Sequence, residues 1–138
     1  MKRLALLSMA AMMLAATVFA PAVMAQEAIV DITSVTLGTD GTVNVSGTVQ
    51  CTQGDQFSLF VDVRQTTGNR PYNWGESVYP DFGPRECSGE VQDFTTTVVG
   101  QQKPFKKGTV LVSGGVTVCE PAGGCFFTRI PFEEFRLR

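Results

Sequence analysis

The 138-residue chain contains no histidine. That removes the side chain that titrates nearest neutral pH, the commonest general base and the usual partner of a Ser or Cys nucleophile. Cysteine is scarce, at four residues. If these are oxidised in pairs, no thiol is left for catalysis. No Gly-rich phosphate loop stands between a strand and a helix, and no acidic, Gly-centred loop offers oxygen ligands to calcium. The carboxylates Asp55, Asp62, Asp81, Glu86, Glu90 and Asp93 are the material left for a glycosidase pair. Nothing in their spacing holds two together, and each reads as a solvent-facing strand or turn residue, Asp62 on the outward parity of its strand. The expectation is a non-enzymatic protein with no cofactor and no metal. An extracellular inhibitor or a carboxylate-based hydrolase is kept as an alternative.

Positive charge is also short. Lys2 and Arg3 precede an apolar run, Leu4 to Phe19, broken only by Ser8 and Thr17. Pro21 then ends any helix, and Val23-Met24-Ala25 offers the small residues that a signal peptidase reads. This is the layout of a secretory signal over residues 1–25, with cleavage expected after Ala25. The competing reading, a membrane anchor, is disfavoured because a spanning helix needs roughly 20 apolar residues. No cysteine near residue 25 offers a lipid attachment point. The Ala/Met-rich run has a bacterial look.

The expected mature chain, residues 26–138, has nine basic and thirteen acidic residues. Such a balance does not suit a nucleic-acid binder, which needs a basic face against phosphates. Lys103, Lys106 and Lys107 form the only basic cluster and read as a solvated loop. The length suits one domain and is too short for two.

Four cysteines in an exported chain predict two disulfides, and three pairings are formally open. Cys119 and Cys125 flank Glu120-Pro121-Ala122-Gly123-Gly124, a turn-rich stretch that brings them close, which leaves Cys51 with Cys87. A four-thiolate zinc site would need closely spaced pairs and a reducing compartment. Chain entropy predicts about 2.4 kcal/mol for the short loop and about 3.8 kcal/mol for the long one.

The mature sequence alternates apolar and polar residues at period two. Val30 and Ile32 share one parity and Val35 and Leu37 the other, so a bulge is expected near Thr33-Ser34. Gly38-Thr39-Asp40-Gly41 and Thr52-Gln53-Gly54-Asp55 read as turns. Between and after them, Val43, Val45, Val49 and Cys51, then Phe57, Leu59, Val61 and Val63, point inward. Phe94, Thr96 and Val98 keep phase in a later strand, as do Val110, Val112, Val116 and Val118, with a kink expected at Gly114-Gly115. Phe126 to Leu137 reads as the last strand, placed at a sheet edge by Pro131. Six strands are clear and a seventh is expected inside Arg70 to Tyr79. No helical stripe and no 20- to 50-residue repeat is present. The pattern predicts an immunoglobulin-like antiparallel β-sandwich with two disulfides, with a small closed barrel as the second choice.

Several segments carry a likeness. Gly47-Thr48-Val49-Gln50-Cys51, Val61-Asp62-Val63-Arg64-Gln65, Cys87-Ser88-Gly89 and Pro104-Phe105-Lys106-Lys107-Gly108 together resemble an uncharacterised family of exported immunoglobulin-like domains of actinobacterial type. The resemblance spans about the whole mature chain and implies a sandwich without an established activity. Val116-Thr117-Val118-Cys119 to Cys125 is more weakly similar to the apoproteins that carry enediyne chromophores, which place a small disulfide loop after a late strand.

The sequence also suggests one surface. Thr67 to Glu86 interrupts the alternation with three prolines and three glycines, and reads as a long connection. It concentrates Tyr72, Trp74, Tyr79 and Phe82, flanked by Arg70 and Arg85. Aromatic rings with polar tips favour recognition of sugars, peptides or proteins; the competing role is packing at one end of the sandwich. The expected function is a secreted binding or structural module for an extracellular protein, glycan or small molecule. A small-molecule carrier with a cleft lined by Phe57, Phe94, Phe126 or Phe127 is the other class.

Overall fold

The computed structural model describes residues 28–67 and 70–138; the expected signal segment, residues 1–25, lies outside them. The strands are β1 (Ile29–Leu37), β2 (Val43–Gln50), β3 (Gln56–Thr67), β4 (Arg70–Tyr79), β5 (Arg85–Glu86), β6 (Gln92–Val98), β7 (Gly108–Cys119) and β8 (Cys125–Leu137). They form two antiparallel sheets, one ordered β1-β2-β6 and one ordered β4-β3-β7-β8, with β5 paired to β3. No helix occurs among the described residues. This is a β-sandwich with two disulfides, Cys51–Cys87 and Cys119–Cys125.

Period-two alternation builds the core. On β2, Val43, Val45 and Val49 are buried, and on β3 Phe57, Leu59, Val61 and Val63 face them across the sandwich. Phe94, Val98, Val110, Val112, Val116 and Val118 complete the filling. Glycine permits a close approach at position 47, where a Cβ would lie 2.2 Å from the Asp31 carbonyl oxygen and 2.8 Å from the Phe94 ring. The expected bulge in β1 is present between Ile32 and Ser34. The turn at residues 38–41 closes through Gly38 N–H to the Thr42 carbonyl (2.8 Å), with Gly41 at φ +78°. β8 is an edge strand, as Pro131 requires. The irregularity in the β7–β8 ladder lies beside Gly114, but the extra residue belongs to β8: Val112 pairs with Glu133 and Gly114 with Ile130, so Pro131 and Phe132 together oppose Ser113.

Two expectations need correction. The seventh strand expected inside Arg70 to Tyr79 is present and fills that whole range, a ten-residue strand hairpinned onto β3, so the reading of Thr67 to Glu86 as one long connection does not hold. The prolines at 71, 80 and 84 fall near or beyond the ends of that strand, where a missing N–H costs little. Asp62 has the outward parity but is buried, at 5% exposure. β3 is an interior strand, so Glu76 of β4 and Ser113 of β7 stand directly beside Asp62. The Arg64 guanidinium then folds over it, donating to both carboxylate oxygens at 2.9 and 3.2 Å. Parity chose the face correctly; it carried no information on what covers that face.

Candidate functional site

The aromatic residues singled out in the sequence do not form one cluster. Trp74 pairs in register with Arg64 and stands half-buried on the outer face of the large sheet. Tyr79 pairs with Leu59 on the inner face. There it packs against Phe57 and Phe94, with ring centroids 6.5 and 5.8 Å away, and accepts a hydrogen bond from Arg85. Trp74 and Tyr79 are five positions apart, an odd offset, so one strand presents them to opposite sides of the sheet. Phe82 projects from the following bend, 96% exposed. The side chains of Arg70 and Tyr72 lie outside those described. The four phenylalanines of the expected cleft also separate, with Phe57 and Phe94 in the core and Phe126 and Phe127 exposed on β8.

A different set of residues converges. The outward positions of β3 are Ser58, Phe60, Asp62 and Arg64, and β4 adds Trp74, Glu76 and Val78 beside them. β7 contributes Leu111, Ser113, Gly115 and Thr117, and β8 contributes Phe127, Arg129 and Glu134. Phe60 and Phe127 stack across β7 with centroids 6.2 Å apart and ring planes 7° from parallel. Gly115 makes the stack fit, because a Cβ there would lie 2.4 Å from the Phe127 ring and 2.9 Å from that of Phe60. The Arg64 guanidinium carbon sits 5.1 Å from the centroid of the Phe132 ring, a cation–π arrangement. Exposure on this face is high for apolar groups: Phe60 37%, Val78 56%, Phe132 53% and Phe127 58%.

The chemistry of this surface is that of contact. Its charged centre is the Arg64–Asp62 ion pair, at 2.9 Å. Both oxygens of Asp62 are taken up by Arg64. No group of three potential metal ligands occurs among the described residues. Sequence reasoning passed over Phe60, Val78 and Phe132. A signal was present in Phe60, the one large apolar side chain in the outward series of β3. Phe132 could not be assigned to a face in advance, because the bulge at Pro131-Phe132 resets the parity of β8.

At the far end of the sandwich, exposed Lys103, Lys106 and Lys107 stand on a connection held down from beneath. Phe105 is buried, Asn73 Nδ2 donates to the Lys103 carbonyl (2.6 Å), and Gln65 bonds twice to Lys106. The lysines therefore occupy a fixed loop with solvated heads.

No protein family description matches the chain, and no curated protein matches it in sequence. Among solved structures, the fold is similar to that of a Bordetella pertussis protein assigned as ApaA. That likeness has a TM-score of 0.52 at 12% identity and covers 80% of this chain and 94% of that one. The sporulation control protein Spo0M from Bacillus subtilis aligns at a TM-score of 0.37 and 13% identity, over 81% of this chain and 49% of that one. The first likeness places this chain among β-sandwiches of similar extent and says nothing of its activity.

Proposed function

We propose that this chain is an exported, non-enzymatic binding module of immunoglobulin-like build, which recognises an extracellular protein through the outer face of its large sheet. The observation that carries the reading is the exposure of Phe60, Phe127, Phe132 and Val78 on one face of a sandwich whose core is already filled from the other face. Contiguous apolar surface on a monomer is costly to leave in water and marks contact sites. Phenylalanine has no polar tip, so apolar side chains of a protein suit this surface better than the hydroxyls of a glycan, which favour Trp and Tyr. The two disulfides suit an oxidising compartment, and the signal-like residues 1–25 supply a route to it.

The test is retention of partners from culture supernatant on immobilised protein, comparing the native chain with Phe127→Ser/Phe132→Ser. The double variant should lose the retained protein while its melting temperature stays within a few degrees, since both rings are more than half exposed. Unchanged retention would refute the assignment of this face. Loss on Phe82→Ser alone would move the site to the Pro80–Pro84 bend.

A further inference from the structure

The open edge of β8 is the second unusual surface of this molecule. It runs for 13 residues, pairs on one side with β7, and has no partner on the other among the described residues. The direction of its backbone groups follows from the hairpin. Glu120 N–H donates to the Gly124 carbonyl at 2.7 Å. Hydrogen-bonded pairs then recur at every second position of an antiparallel ladder, so Phe126, Thr128 and Ile130 bond to β7. The extra residue of the bulge lies on β8, so the alternation of β7 continues unbroken and reaches Glu133, Phe135 and Leu137. Beyond Cys125 at the turn, the β8 residues left with N–H and C=O directed outward are Phe127 and Arg129 before the bulge, and Glu134 and Arg136 after it.

These four residues are complementary to themselves. We infer that two copies of this chain pair antiparallel along β8, with the two-fold axis passing between Pro131 and Phe132. In that register Arg129 lies opposite Glu134 of the second copy, and Phe127 lies opposite its Arg136. Each contact occurs twice, as an isologous interface demands. The bulge makes the register consistent. It moves the outward positions from odd numbers, 127 and 129, to even ones, 134 and 136, so outward residues meet outward residues across the axis. Without it the same register would set outward residues against inward ones.

Charges on an exposed edge normally prevent pairing. Here they select one register. A shift by two residues one way opposes Arg129 to Arg136, and a shift the other way removes both ion pairs. Pairing in the selected register joins the two large sheets edge to edge and places the two aromatic faces side by side. The inference does not rest on the proposed protein partner, because association is measured with this chain alone.

Sedimentation equilibrium of the purified protein at about 0.1 M salt, where opposite charges still attract within a Debye length of about 10 Å, should give the mass of a dimer. Arg129→Glu and Glu134→Arg should each raise the dissociation constant at least tenfold by opposing like charges. The double variant Arg129→Glu/Glu134→Arg should return it to near the native value. Circular dichroism confirms that each variant keeps its sheet content, as exposed edge residues should allow. A native protein that sediments as a monomer throughout the measurable concentration range overturns the inference. So does a dimer that the single swaps leave intact, or that the double swap fails to restore.

Discussion

Gln65 on β3 spends its whole amide on one residue of the connection before β7. Its Nε2 donates to the Lys106 carbonyl at 2.6 Å, and its Oε1 accepts from the Lys106 N–H at 3.0 Å. The side chain is buried, at 4% exposure, in register with the equally buried Asn73. Together these two amides do for the connection what a strand partner would do, satisfying backbone groups that a loop cannot pair by itself.

Gln65→Ala should therefore destabilise by about 1–3 kcal/mol, the cost of leaving buried backbone groups unpaired. Urea denaturation measures it. Hydrogen exchange should show the loss concentrated at the Lys106 amide and its neighbours, while the β3–β7 ladder stays protected.

The two disulfides should differ in weight. Replacing both Cys51 and Cys87, 36 residues apart, by alanine should cost about 4 kcal/mol, and replacing Cys119 and Cys125, six apart, about 2 kcal/mol. Equilibrium unfolding of the two double variants gives the order. Equal losses would show that closing the longer loop contributes no more than closing the shorter.

Two glycines should respond differently to a methyl group. At Gly75 a Cβ would meet the Val99 carbonyl oxygen at 2.2 Å, a backbone atom at the corner where β4 packs on β6. At Gly115 it would meet the Phe127 and Phe60 rings, both partly exposed and able to swing outward. Gly75→Ala should cost about 1–3 kcal/mol as an overpacking change, and Gly115→Ala less. Near-ultraviolet circular dichroism should register the broken Phe60–Phe127 stack in the second variant, and thermal melts should rank the two.

Asp40 carries a directional pKa shift that bears on the stability of its turn. The Thr42 hydroxyl and backbone N–H both donate to its Oδ1, at 2.7 and 3.1 Å, and hold the carboxyl below its ordinary value. A depressed folded-state pKa contributes stability above the unfolded value, and that contribution is lost as pH falls through the lowered one. The turn should thus loosen only in acid. Carboxyl NMR titration should show Asp40 protonating at lower pH than in Thr42→Val, and superimposable curves would remove the assigned cause.

The strand pattern and the disulfide pairing were legible because each rests on local chemistry. Alternation at Val43-Val45-Val49 and Phe57-Leu59-Val61-Val63 names a buried face wherever it occurs. A Pro-Ala-Gly-Gly stretch between Cys119 and Cys125 leaves the chain little choice but to bring them together. The edge position of β8 could be read from Pro131, and the bulge in β1 from the change of parity at Thr33-Ser34.

Neighbour relations were decided only when the strands came together. Asp62 is buried because β3 lies between β4 and β7, and no local pattern says which strands flank a given one. Trp74 and Tyr79 are close in sequence, but as members of one strand with opposite parity they face opposite sides of a sheet. The aromatic face is assembled from Phe60, Val78, Phe127 and Phe132, residues up to 72 positions apart. The sequence by itself determined which side of each strand is apolar, since that depends on alternation within a few residues. The tertiary structure decided which outward side chains share a surface, since that depends on strand order and register, set by the packing of the whole sandwich.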